Sequence, residues 1–129
     1  MRTGTVVRVD LGDATLEADL TVPDGGRGVV LFAHGSGSSR HSPRNRMVAS
    51  RLNQRGFATL LADLLTPDEG EHDARTGALR FDIPLLARRM AGLTDWAGED
   101  RAVAGRAIGL FGASTGAAAA LVAAAARPR

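Results

Sequence analysis

The rhythm of hydrophobic positions along this chain changes once, near residue 28. Before it, two runs rich in β-branched residues, Thr5–Val9 and Thr15–Val22, flank Leu11-Gly12-Asp13. In the second run Leu16, Ala18, Leu20 and Val22 alternate with polar residues, the period of a strand buried on one face. So short a link predicts an antiparallel hairpin, and Pro23-Asp24-Gly25-Gly26 reads as the turn that leaves it.

After residue 28 the apolar runs become continuous. Gly28–Ala33 is unbroken, as expected for a strand covered on both faces, and it opens into a Gly/Ser loop from His34 to His41. Ser42-Pro43 reads as N-cap and first helical position, Met47, Val48 and Leu52 as the apolar stripe, and Gly56 as the residue that closes the helix. Phe57–Ala62 predicts a second buried strand. The polar stretch from Asp63 to about Asp82 reads as the longest irregular segment. A helix is expected from Ile83 to Ala97, with Leu86, Met90, Leu93 and Trp96 on its core face and Gly98-Glu99-Asp100 interrupting it. Arg101–Arg106 fits no single element. Ala107–Phe111 predicts a third buried strand, Gly112–Gly116 a turn, and Ala117–Ala126 an alanine-rich helix ended by Pro128. Strand, helix, strand, helix, strand, helix is the order of an α/β domain with a mainly parallel sheet, here preceded by the antiparallel hairpin.

Composition narrows the class. A chain of 129 residues with 44% apolar and 23% charged positions suits one globular domain, 1–129. No apolar run approaches the roughly 20 residues of a membrane helix, and MRTGTVVRVD has no hydrophobic signal core, so a cytoplasmic protein is expected. All 16 basic residues are arginine, scattered among 14 acids, which argues against a nucleic-acid footprint. There is no cysteine, hence no disulfide, thiolate metal site or cysteine nucleophile. No His/Asp/Glu cluster has metal-ligand spacing, so neither metal nor cofactor is expected.

Gly112-Ala113-Ser114-Thr115-Gly116 fits G-x-S-x-G, a turn that lifts a serine hydroxyl above the carboxyl edge of a sheet. About 0.09 such matches arise by chance in this composition, so the pattern gains weight only from its place between an apolar strand and a helix. Ser114 is the candidate nucleophile, and the Thr115 N–H, at a helix start, a candidate oxyanion donor. His34-Gly35-Ser36-Gly37 follows the first buried parallel strand, where the second donor belongs. The Ser36 N–H is favoured, with Gly35 and Gly37 lining the site. Otherwise the segment is an ordinary Gly/Ser connection.

On HGSGSSRHSPRN and GASTG, and on FATLLADLLTPDEGE and RFDIPLLARRM between them, the chain resembles the N-terminal part of a serine α/β-hydrolase of the dienelactone-hydrolase-like family. The likeness runs over about residues 14 to 127. It implies an α/β-hydrolase-like sheet, Ser114 as nucleophile, Ser36 and Thr115 as oxyanion donors, and a small ester or acyl substrate. Serine replaces the cysteine of the original dienelactone hydrolases, which favours general esterase chemistry. Domains of this kind also occur fused to phosphoribosyltransferase domains.

One requirement is unmet. A serine needs a base, and in this fold the acid and the histidine follow it in the chain. The 15 residues after Ser114 include no Asp, Glu or His, so the domain reads as truncated and inactive alone. His34 is expected to hold its loop rather than act as base, and His41 and His72 to be solvated. Asp63 sits at the catalytic edge or in a plain turn. Asp73–Arg80 reads as a solvated loop, with a cover over the pocket as the alternative. Ala107–Phe111 would end the sheet and leave an edge prone to self-association. Two other readings stand beside the hydrolase: a noncatalytic remnant that binds another chain, and a nucleotide-binding turn at GASTGAA. The last lacks a glycine at Ala118 and has no room for a ribose-binding acid.

Overall fold

The computed structural model describes residues 5–12, 14–23, 28–34, 40–77, 79, 82–99 and 107–112. The hairpin is present as β1 (Thr5–Asp10) and β2 (Thr15–Thr21), with Leu16 opposite Val9 and Leu20 opposite Thr5. Its turn closes through Leu11 N–H to the Ala14 carbonyl at 2.8 Å. β3 (Val29–Ala33), β4 (Ala58–Ala62) and β5 (Ile108–Gly112) are mutually parallel about β3, while β2 runs antiparallel to β4. The order across the sheet is β1-β2-β4-β3-β5. This is the mixed sheet of an α/β-hydrolase-like fold.

Two apolar clusters cover the two faces. On one face Val9, Leu16, Ala18 and Leu20 join Val29, Leu31, Leu60 and Ala62 beneath α3 (Ile83–Glu99), which contributes Leu86, Met90, Leu93 and Ala97. The side chains expected on this helix do face the core, although the helix continues through Gly98 instead of stopping there. On the other face α1 (Pro43–Gln54) packs Ala49 against Phe32 and Leu61, with Val48 and Leu52 at the margin. Fully burying each such side chain is worth about 1.5–3 kcal/mol. The Phe32 and Phe111 rings meet at 5.1 Å.

α1 starts and stops where the sequence places it. Ser42 caps it, accepting from the Asn45 N–H, and Gly56 follows the C-cap at φ 90°, a conformation that glycine adopts without strain. The stripe is turned from the expected one, however. Met47 is 57% exposed, and the buried residues are Asn45 and Ala49. Small Ala49 lets the helix lie close on the sheet, which sets its rotation and leaves Met47 in solvent.

A larger correction concerns residues 63–82. Pro67–Thr76 is a helix, α2, rather than irregular chain. Its start is a full capping box: Glu69 N–H donates to Thr66 Oγ1 at 3.2 Å and Thr66 N–H to Glu69 Oε1 at 2.8 Å. Asp73, expected in a solvated loop, is buried in α2 and accepts the Leu79 N–H at 2.9 Å.

β5 is also less covered than a third buried strand should be. Its residues are half-buried or exposed, and among the described residues it forms the sheet's edge. Gly28 marks where β5 approaches β3. A Cβ there would lie 2.8 Å from the Ala107 carbonyl oxygen, which accepts the Val29 N–H at 2.9 Å. Among the described residues no helix is long and apolar enough to cross a membrane.

Candidate active site

The parallel register brings three strand ends to one edge. Ala33 pairs with Gly112, and Phe32 with Leu61, so β3, β4 and β5 end side by side, β3 running on into His34 and β4 into Asp63. In α/β sheets this carboxyl edge is where ligands bind. Gly112, the first glycine of the G-x-S-x-G pattern, is the last residue of β5. Ser114, Thr115, Ser36, Gly35 and Gly37 lie outside the described residues, as does the alanine-rich segment expected as a helix.

What the structure does describe is the frame around those positions. His34 is 8% exposed, and its Nε2 accepts the Leu64 N–H at 3.0 Å. An Nε2 that accepts carries no proton, so the ring bears its hydrogen on Nδ1. His34 thus ties the end of β3 to the exit of β4, in keeping with a holding role.

Asp63 is neither an idle turn residue nor a free acid. Its Oδ1 accepts the Arg40 N–H at 2.7 Å, and its Oδ2 takes the Arg40 guanidinium. Arg40 also reaches Glu17 at 3.3 Å and Asp19 at 3.5 Å, and Arg46 adds a further ion pair to Asp19. β2 turns its polar face, Glu17 and Asp19, toward α1, which is how carboxylates from a neighbouring strand reach Arg40. Burial opposes the charge on Arg40, but the hydrogen bond and attraction of Asp63, with Asp19 and Glu17, raise its pKa above the usual arginine value.

A second network lies behind Leu64. Arg89, a single charged residue on the core side of α3, forks onto Glu69 at 2.8 and 2.9 Å and donates to the Leu64 carbonyl at 3.0 Å. The Arg89 hydrogen bond draws the Glu69 carboxyl down to about 2, against the opposing effect of burial and with help from the Thr66 N–H. Neither arginine stood out in the sequence. The one local signal was Thr66-Pro67-Asp68-Glu69, a capping-box spelling that should have announced α2 and placed Glu69.

The other candidates are dispersed. His41 is exposed, with its Nδ1 at 3.2 Å from Arg46, and His72 is on the exposed side of α2. Among the described residues no three His, Cys, Asp or Glu are grouped as a metal site. Trp96 and Met90 belong to the core of α3. A cleft of about 420 Å³ lies beside α1 over the face of β2 and β4, bordered by Asp19, Arg40, Arg46, Asn53 and Thr59. It is set on the sheet face rather than over the strand ends.

No family model matches the chain. A dienelactone hydrolase from Anabaena variabilis, known from its crystal structure, is 56% identical with a TM-score of 0.95, covering 98% of this chain and 58% of its own. Est1E from Butyrivibrio proteoclasticus shares the fold at 23% identity and a TM-score of 0.75, over 97% of this chain and 46% of its own. Two Mycobacterium tuberculosis proteins that carry a phosphoribosyl-transferase name are 55% identical over 119 residues, 92% of this chain and 26% of theirs. The chain therefore spans about a quarter of those curated relatives and little more than half of the similar hydrolase.

Proposed function

We propose that this chain, whose structural neighbours are dienelactone-hydrolase-like, carries the nucleophile side of a serine hydrolase for small ester or acyl substrates. The observation that carries the reading is the alignment of strand ends, with Gly112 closing β5 beside Ala33 immediately before Ala113-Ser114-Thr115-Gly116. In this reading Ser114 Oγ attacks the substrate carbonyl. The N–H groups of Thr115 and Ser36 receive the negative charge that forms on its oxygen, and Gly35 and Gly37 let the substrate approach the backbone.

The proton on Ser114 needs an acceptor. His34 Nε2 is already committed to the Leu64 N–H, His41 sits beside Arg46, and Asp63 is held by Arg40. The reading uses none of the three as general base, and none of the 15 residues given after Ser114 is Asp, Glu or His. The reading therefore assigns the acid and base of the triad to chain beyond this sequence, as the 58% coverage of the Anabaena enzyme supports. The phosphoribosyl-transferase name of the Mycobacterium proteins is assigned to the part of them that this chain does not span.

The test is labelling of the full natural protein with a fluorophosphonate probe. Labelling that disappears in Ser114→Ala is expected; equal labelling of the variant removes Ser114 as nucleophile. The half-exposed β5 edge favours a second reading, a noncatalytic hydrolase-like unit that acts by associating with another chain.

A further inference from the structure

We infer that the outer face of α1 is a docking surface for an acidic amphipathic helix of another protein, a role independent of Ser114 and of the strand ends. Arg44, Met47 and Arg51 stand at i, i+3 and i+7, one stripe of the helix, and all three are exposed. Met47, at 57% exposure, and Val6 are the two large apolar side chains exposed among the described residues. Among those residues neither Arg44 nor Arg51 has an ion-pair partner. The stripe runs against what suits a helix in water. Arg44 lies in the first turn, where the helix dipole disfavours a cation, and α1 carries no acid to pair with either arginine. α2 follows the opposite rule: Asp68 and Glu69 stand in its first turn, Arg75 in its last, and Glu71 pairs with Arg75 at 3.1 Å. One surface helix thus has its charges balanced, while the other sets uncompensated cations around a bare thioether. A local rule broken in this way points to function at that place.

The chemistry of the stripe selects its partner. Arginine and methionine are enriched in protein interfaces. Two cations about 10 Å apart along the axis, bracketing one apolar side chain, match a crossing helix with Glu at i and i+7 and Leu at i+3 and i+4. A lipid surface would gain little, because a single thioether is no apolar face to insert. A polynucleotide needs a broad basic field, and this chain sets 14 acids among its 16 arginines for a net charge of +2. A second copy placing α1 on α1 would bring like charges together.

The experiment uses the full natural protein and two fluorescein-labelled helical peptides on an Ala/Gln background. One carries Glu at i and i+7 around Leu at i+3 and i+4; the other has Lys in place of each Glu. Binding is read by fluorescence anisotropy at low and high salt, and folding by the melting curve. The Glu peptide should bind at least about 10-fold tighter than the Lys peptide, a preference that shrinks as salt rises. Arg44→Glu/Arg51→Glu should reverse that preference. Met47→Ala should weaken the Glu peptide about 3- to 10-fold and leave the preference in place. Equal binding of the two peptides, no binding of either, or a preference that survives the double reversal would overturn the inference. If Arg44→Glu/Arg51→Glu does not fold, Arg44→Gln/Arg51→Gln must lose the preference, and keeping it overturns the inference instead. Tighter binding of phosphatidylserine vesicles or of a DNA duplex through the same two arginines would overturn it in favour of that occupant.

Discussion

Glu69→Ala should destabilise the fold more than Arg89→Met, although both break the same ion pair. The asymmetry follows from burial: the Arg89 side chain is 4% exposed and that of Glu69 29%. Removing Arg89 lets water take over Glu69 and leaves the Leu64 carbonyl one donor short, a cost of about 2–3 kcal/mol. Removing Glu69 takes the forked carboxylate from a buried guanidinium and dismantles the capping box, at about 3–5 kcal/mol. Against a total stability of roughly 5–15 kcal/mol, either loss is measurable by urea unfolding followed by circular dichroism. The pH profile gives a second handle. Glu69 titrates near 2 when folded and at its usual 4.5 when unfolded, so its contribution is complete above pH 4.5 and lost as pH falls toward 2. Allowing for solvent screening of a partly exposed carboxylate, that loss is about 1–2 kcal/mol. It should shrink in Arg89→Met to the smaller part that the Thr66 hydrogen bonds supply. An Arg89→Met as costly as Glu69→Ala, or one that keeps the acid limb of the natural protein, would refute this account of the pair.

Three further outcomes are expected. Gly28→Ala should cost about 1–3 kcal/mol in the same unfolding assay, because its Cβ would press on the Ala107 carbonyl and loosen the pairing of β3 with β5; a change below about 0.5 kcal/mol would contradict the close approach. The 129-residue chain alone should hydrolyse p-nitrophenyl acetate barely above background, since loss of a triad base costs on the order of 10⁶ in kcat; robust Ser114-dependent turnover would require testing His34, His41 and His72 singly as the base. The same chain should self-associate at tens of micromolar through the β5 edge, and a clean monomer by light scattering would count against that.

What was legible in the sequence was local. The alternation of Leu16, Ala18 and Leu20, the Ser42-Pro43 start and the Gly56 stop each act within a few residues, and the structure places all of them as read. Periodicity failed where no apolar stripe exists. α2 buries only Asp73 and is held by its caps and by Glu69's reach to Arg89, so hydrophobic spacing had nothing to register. Met47 misled for the opposite reason, an apolar residue one step off a face set by small Ala49. The apolar spelling of β5 read as a covered strand, while its place as the last strand of the sequence already pointed to the edge where its half-exposure is found. Arg40 and Arg89 were invisible for a different cause. Each is one of 16 arginines, and the partners that give them a role lie 23 and 20 residues away, Asp63 and Glu69.

The same division bears on how function sits in this chain. A similar block of sequence occurs in a protein called a dienelactone hydrolase and in proteins called phosphoribosyl transferases, at 56% and 55% identity. A name taken from whole proteins therefore cannot settle what the block does, whereas a site can. The described contacts that set the carboxyl edge run between residues of this chain: His34 to Leu64, Arg40 to Asp63 and Glu17, Arg89 to Glu69 and Leu64. The contacts around His34, Asp63 and Leu64 are thus internal to the block. On the serine-hydrolase reading, what such a block brings to a longer protein is this edge, and the activity of the whole then rests on a base that the reading does not find among the residues given.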